Sequence, residues 1–146
     1  MNHGLKTVIA ACLICWALMP GTAFGASADD IIVVANPNVP TDTLAQDEIQ
    51  SIFLGEIVKW SDNTMITVVI LKNQEVHELF LKKYIKRTAF QFNNVWRRIL
   101  FTGKGKPPIR MKSQGELLEY VSKTAGAIGY VSSGLMGTKT VKVVEE

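Results

Sequence analysis

Two short segments indicate the fold of this chain: Ser51–Trp60, which reads SIFLGEIVKW, and Lys123–Val131, which reads KTAGAIGYV. Neither segment offers an obvious catalytic group. Both place glycine beside apolar residues, a pattern typical of tight turns between packed elements. We therefore interpret them as scaffold, and we expect their glycines to lie in turns and Trp60 to be at least partly buried.

The first 28 residues have the pattern of a secretory signal peptide. A basic start, MNHGLK, leads into the apolar run TVIAACLICWALMP and then into the small, polar GTAFGASA. The apolar run of about 13 residues is shorter than the roughly 20 that span a bilayer. We expect cleavage near Gly25 or Ala28, which gives an exported, periplasmic domain at 29–146 that does not span the membrane.

The two cysteines, Cys12 and Cys15, both lie in the predicted signal peptide, so the mature chain would contain no disulfide. Ile9–Cys12 reads IAAC, which resembles a lipoprotein processing site, but almost no apolar run precedes it.

After cleavage about 118 residues would remain, enough for one compact domain. Loss of Lys6 lowers the formal net charge of +3 to about +2, and this near balance together with export disfavours a nucleic-acid partner.

The pattern of apolar residues predicts four strands. Ile31–Ala35 is a β-branched run ended by turn residues, and Met65–Leu71 is a second run of this kind. Ala127–Val131 follows a glycine, and Lys139–Val144 alternates polar residues with valine.

Helices are predicted between these strands. Leu44–Gly55 has apolar residues at helical spacing, and Asn73 can cap a helix that ends near Lys86. Thr88–Gln91 and Ser113–Glu116 are capping boxes that open two further helices. The apolar face of the second helix is predicted to consist of Val76, Leu79, Phe80 and Tyr84. This alternation predicts an α/β domain whose crossovers are long enough for parallel strand pairing.

No side-chain pattern in the mature sequence indicates catalysis or a cofactor. His77 would be the only histidine and has no cysteine beside it, so no metal site is expected; we interpret it as an exposed helix residue. Gly129–Gly134 lacks the single serine of a nucleophile elbow. Gly103–Lys106 is not followed by the Lys-Ser/Thr helix start of a phosphate loop, and we expect a flexible loop there.

Helix starts offer a different chemistry, because their backbone N–H groups favour anions. Asn73 and Gln74 follow the second strand, where open α/β sheets bind ligands, and Asn36 after the first strand is the expected neighbour. Ser113 opens a further helix. Each of these residues can equally be a purely structural cap.

Three segments resemble the phosphate-binding proteins of ABC transporters. Leu44–Asn63, LAQDEIQSIFLGEIVKWSDN, is similar to a short family helix that ends at Ile-Phe-x-Gly before a tryptophan. KTAGAIGYV resembles the family signature Thr-Pro-Gly-Ala-Ile-Gly-Tyr-Val, with Ala125 in place of proline. Trp96–Pro108, WRRILFTGKGKPP, looks like the short, single-domain members, and the likeness extends from about Val33 to Val131.

The resemblance implies a single periplasmic-binding-protein-like lobe with a mixed, mostly parallel sheet flanked by helices. In full-length members, an inserted lobe carries a Ser-Gly-Thr turn that binds phosphate. This chain reads KNQEVHELF at that point, so Lys72, Asn73 and Gln74 occupy the corresponding turn.

The functional expectation is an exported, non-enzymatic solute-binding-like protein that binds a small oxyanion such as phosphate weakly, without a cofactor or metal, beside a transporter. The ligand-binding candidates are Asn36, Lys72, Asn73, Gln74 and Ser113. The alternative is an envelope protein–protein interaction module that keeps the scaffold without binding a solute.

Overall fold

The computed structural model describes residues 30–135 and 142–143. The predicted signal peptide lies outside the described residues, and so does all of the predicted last strand except Lys142–Val143.

Within the described residues, five strands form one sheet in the order β3-β2-β4-β1-β5. The strands are β1 (Ile31–Ala35), β2 (Thr67–Leu71), β3 (Ile109–Met111), β4 (Ala127–Ser132) and β5 (Lys142–Val143). The strand β2 is parallel to both β3 and β4. This confirms the α/β class and the parallel pairing expected across the helical crossovers.

The sheet is mixed and mostly parallel, as the family resemblance implies. Two of its details were not predicted. The strand β1 is antiparallel to β4, with Ile31 opposite Ser132 and Ala35 opposite Ile128, so β1 runs against the other strands. The strand β3 was not predicted, because it has only three residues and follows the turn-forming pair Pro107–Pro108. The preceding Gly103–Lys106 segment is a connection outside regular structure, apart from the residue that caps the helix before it.

In the part of the chain that the structure describes, four α-helices cover the two faces of the sheet: α1 (Gln46–Phe53), α2 (Gln74–Phe80), α3 (Ala89–Thr102) and α4 (Gln114–Lys123). Gly129 of β4 faces Leu117 of α4, whereas the next residue, Tyr130, stacks on Phe80 of α2 with ring centroids 3.8 Å apart. Successive residues of a strand point to opposite faces, so α4 lies on one face and α2 on the other. The indole of Trp96 in α3 donates to the Phe53 carbonyl of α1 at 2.9 Å, which places α3 beside α1.

The predicted capping box forms at Thr88 but only in part at Ser113, because the Glu116 side chain accepts from the N–H of Lys112 and not from that of Ser113. Thr88 and Gln91 exchange two hydrogen bonds, in which each side chain accepts from the backbone N–H of the other residue. At α1 only one of these two bonds exists. The N–H of Ala45 donates to the Glu48 side chain, but Ala45 has no side-chain acceptor for the second bond. The helix α2 continues into one π-helical segment, Leu81–Ile85, before Lys86 ends it in the left-handed conformation.

The buried face of α2 is rotated from the predicted one. His77, Phe80, Leu81 and Tyr84 are buried, whereas Leu79 is exposed. The interpretation of His77 as an exposed helix residue is therefore wrong. His77 lies three, four and seven residues before the other buried positions, Phe80, Leu81 and Tyr84. This helical spacing already indicates that the four residues share one buried face.

The two segments that open the sequence analysis meet in the structure. Trp60 is buried, as expected, and its indole donates to the carbonyl of Gly126 at 3.0 Å. The same carbonyl accepts from the backbone N–H of Thr67 at 3.1 Å, at the start of β2. Gly126 has φ +75°, and a Cβ atom there would lie 2.3 Å from the carbonyl oxygen of Met65. No residue with a side chain fits at 126 without moving this backbone.

We expect Gly126→Ala to lower the free energy of unfolding by about 3 kcal/mol or more, because left-handed strain adds to a backbone clash. Gly103→Ala is the matched control: it has φ +66° but no atom within 4 Å of the added Cβ, so it should cost only about 1 kcal/mol. Urea unfolding of both variants measures the difference. Equal losses would show that the close approach at 126 is unimportant.

Candidate functional site

The candidate site lies where β2 and β3 end. Because these strands are parallel, their carboxyl ends reach the same edge of the sheet, and the N–H of Lys72 donates to the Met111 carbonyl across it at 2.8 Å. Lys72, Asn73, Lys112 and Ser113 are all exposed there. Four polar side chains from two chain segments thus share this edge, which we call the β2–β3 edge.

Asn73 is the cap of α2. Its side-chain oxygen accepts from the N–H groups of Glu75 and Val76 at 3.0 and 3.3 Å. Two of the backbone N–H groups at the start of α2, which could otherwise bind an anion, are therefore already hydrogen-bonded within the chain. Gln74 begins the helix beside it, but its side chain lies outside the described part of the structure.

Ser113 has the same role at α4, where its hydroxyl accepts from the N–H of Glu116 at 3.2 Å. The Glu116 carboxylate in turn accepts from the N–H of Lys112 at 3.0 Å. The Gln114 side chain accepts from the N–H of Ser132 at 2.6 Å and so connects this helix start to the end of β4. These bonds connect the ends of β3 and β4 to the start of α4.

The electrostatics of the edge are mixed. Lys72 and Lys112 supply positive charge, but Glu75 and Glu116 each lie in the first turn of a helix. An acidic side chain in that position already interacts with the positive end of the helix dipole. An incoming anion would meet two cations together with two carboxylates.

Asn36 does not belong to this edge. Since β1 runs against β2 and β4, its carboxyl end lies near the start of β4, where the Asn36 N–H donates to the Ala127 carbonyl. The carboxamide of Asn36 is buried; it donates to Val121 and Ser122 and accepts from Asn38. The expectation that Asn36 neighbours Asn73 is therefore wrong, and its observed bonds are structural.

His77 lies one turn below the start of α2. It is hydrogen-bonded through Nδ1 to the Tyr130 hydroxyl at 2.5 Å, and that hydroxyl accepts from the N–H of Leu71 at 3.0 Å. Among the described residues, Nε2 of His77 has no partner. Burial, with a smaller contribution from Arg110, lowers the pKa of His77 from 6.5 to about 4, against the opposing effect of Glu78. Burial also raises the pKa of Tyr130. The His77–Tyr130 pair is thus neutral, and its bond to Leu71 holds the carboxyl end of β2 from the core side.

Within the part of the chain that the structure covers, no group of three or more His, Cys, Asp or Glu residues could hold a metal ion. The described helices also include none with the length and apolar character of a membrane span.

The geometry defines a class of protein: an α/β lobe with its polar residues at the carboxyl ends of parallel strands, where open sheets of this type bind ligands. Residues 26–145 match a family model described as a PBP superfamily domain. The chain belongs to this family. No curated protein matches the sequence.

Solved structures share the fold at low identity. A protein from Clostridium perfringens, described as a phosphate ABC transporter substrate-binding protein with bound phosphate, superposes with a TM-score of 0.63 at 19% identity over 78% of this chain and 43% of that one. An ABC-type phosphate transport receptor from Vibrio cholerae gives 0.53 at 17% over 78% and 44%. PstS from Borrelia burgdorferi gives 0.55 at 18% over 79% and 46%. The matched region therefore spans less than half of each structure.

Acid should destabilise the fold through His77. Its folded-state pKa of about 4 lies below the ordinary 6.5, so between these values the unfolded chain binds the proton more readily. Stability should decrease as the pH falls from about 6.5 to about 4, by roughly 1–3 kcal/mol. Urea unfolding of the wild type and of His77→Gln across this range measures it. The difference between the two proteins should change with pH, and a constant difference would contradict the role of His77.

Proposed function

We propose that this protein is an exported, non-enzymatic solute-binding-like protein that resembles the substrate-binding component of phosphate ABC transporters. Its ligand would be a small oxyanion such as phosphate, bound weakly at the β2–β3 edge by Lys72, Asn73, Gln74 and Ser113. The main observation in support is that the parallel pairing of β2 and β3 brings two capped helix starts and two lysines to one exposed edge.

The chemistry of the edge suits an oxyanion. Helix starts present backbone N–H groups, and a lysine supplies a mobile cation that can approach a phosphate oxygen. Lys112 was not among the residues predicted for the site; its position next to Lys72 follows from β3, which the sequence pattern did not reveal. We include Lys112 in the proposed site for this reason.

Two features argue for weak binding. The lysines and caps are exposed, so water competes for each donor, and charge-assisted hydrogen bonds gain most of their strength in buried sites. Glu75 and Glu116 also add negative charge at the two helix starts. The solved structures that share this fold are more than twice as long as the matched region, which leaves room in them for further contacts to a ligand.

The polar character of the edge favours a solute over the alternative of a protein–protein module at this place. An interface core is usually depleted of charged residues, whereas lysine, asparagine and serine side chains make up the β2–β3 edge. Export to the periplasm and association with a transporter belong to the same proposal, and the fold shared with phosphate transport proteins supports them.

We expect the monomer to bind phosphate no more tightly than about 0.1 mM, roughly −5 kcal/mol. Titration calorimetry with phosphate and sulfate measures this. Lys72→Gln combined with Lys112→Gln should weaken binding at least fivefold. Lys123→Gln removes the same kind of charge at the far end of α4 and should have no effect. Glu116→Gln should tighten binding about two- to fivefold, because one carboxylate at a helix start is worth 0.3–1 kcal/mol.

Sub-micromolar binding by a demonstrated monomer would contradict the exposed, weak site. The absence of heat with both anions, at protein concentrations that detect millimolar binding, would contradict oxyanion binding altogether and would favour the interaction module. An unchanged affinity in the double lysine variant would show that the anion binds elsewhere.

A further inference from the structure

The segment around α3 has a one-sided charge. From Leu79 to Gly115 the chain contains ten lysines and arginines and no aspartate or glutamate, although the net charge of the whole chain is only +3. The acidic residues that balance this segment therefore lie elsewhere in the sequence. Such a separation of charge within one small domain indicates a surface that attracts anions.

The outward face of α3 combines this charge with exposed aromatic rings. Phe90, Asn94, Arg97 and Phe101 follow a spacing of four, three and four residues, which puts them in one stripe along the helix. Phe90 is 71% exposed and Phe101 is 86% exposed. The opposite face carries the buried Phe92 and Trp96. The helix thus has an apolar face toward the core and a second, aromatic and basic face toward the outside, which we call the α3 face.

A shallow groove of about 370 Å³ runs beside this stripe and is lined by two arginines, each hydrogen-bonded to an asparagine of α3. Arg97 donates to the Asn94 side chain at 3.2 Å, and Arg110 donates to the Asn93 side chain at 3.0 Å. A guanidinium has five N–H donors, so one amide contact leaves most of them for an anion. The apolar lining of the groove comes from Trp96, Leu100, Pro107 and Pro108.

We propose that the α3 face docks on the surface of an anionic membrane. The groove arginines Arg97 and Arg110 would bind lipid phosphates, and Phe90 and Phe101, about 16 Å apart along the helix, would enter the interface between headgroups and acyl chains. A basic helix face with projecting aromatic residues is the pattern of surface-bound amphipathic helices. This function is separate from oxyanion binding at the β2–β3 edge.

The positive charge of the α3 face disfavours a second copy of this chain as its partner. Two chains that paired through α3 would bring two surfaces of the same positive charge together, and like charges at an interface are unfavourable. An acidic protein would satisfy the charge, but it would also need a matching hollow for each of two rings on a convex helix. A lipid surface deforms around such side chains and needs no shape complementarity.

Vesicle sedimentation tests the proposal with the protein as recovered after export. Vesicles of phosphatidylglycerol and phosphatidylcholine in equal parts are compared with pure phosphatidylcholine at about 0.1 M salt. We expect at least tenfold stronger binding to the anionic vesicles, and loss of this preference at about 0.5 M salt.

Variants separate the contribution of the aromatic rings to membrane binding from that of the arginines. Phe90→Ser with Phe101→Ser should weaken binding to anionic vesicles at least tenfold, and Arg97→Gln about fivefold. The control Leu79→Ser removes another exposed apolar residue, beside Glu78 on α2, and should change binding less than twofold. Equal thermal unfolding of the variants shows that each remains folded.

Three results would overturn the proposal. The first is equal binding to neutral and anionic vesicles, or binding to neither. The second is binding that depends on salt but not on the phenylalanines, which would indicate a general polyanion surface. The third is a dimer in sedimentation velocity that the double phenylalanine variant dissociates, which would make the α3 face an interface between copies.

Discussion

The carbonyl group of Gly126 is the point on which the rest of the structure depends. It accepts from the indole of Trp60 and from the N–H of Thr67, so one oxygen connects the segment after α1, the start of β2 and the start of β4. The left-handed backbone of Gly126 lets the Met65 carbonyl approach closely. These contacts hold the start of β2 beside the start of β4. The strand β2 is in turn parallel to β3, and their carboxyl ends form the β2–β3 edge.

Local chemistry explains how much of this could be predicted from the sequence. Asn73, Thr88 and Ser113 cap helices as expected, because a cap depends on residues only a few positions away. The direction of β1 could not be predicted, since strand orientation depends on pairing with β4, about a hundred residues later. This non-local choice removed Asn36 from the candidate site.

Other differences have equally physical causes. The strand β3 is held by β2 rather than by its own three residues, so no periodicity could reveal it, and Lys112 was consequently not recognised as a neighbour of Lys72. His77 was interpreted by residue type, although its spacing relative to Phe80, Leu81 and Tyr84 already favoured burial. The resemblance of the two glycine-containing segments indicated the family correctly, and in the structure the two segments meet at the bond from Trp60 to Gly126.

We propose two surfaces for anions on this fold, and they differ in design. The β2–β3 edge offers capped helix starts with mixed charge, whereas the α3 face has guanidinium groups and exposed rings. Amide proton–nitrogen NMR spectra recorded during titration with phosphate, up to about 10 mM, test the central claim most directly. The account predicts saturable shifts that are largest for the amides of Lys72–Glu75 and Lys112–Glu116, with none at Asn36. Largest shifts around Arg97 and Arg110, or no shifts at the edge, would contradict it.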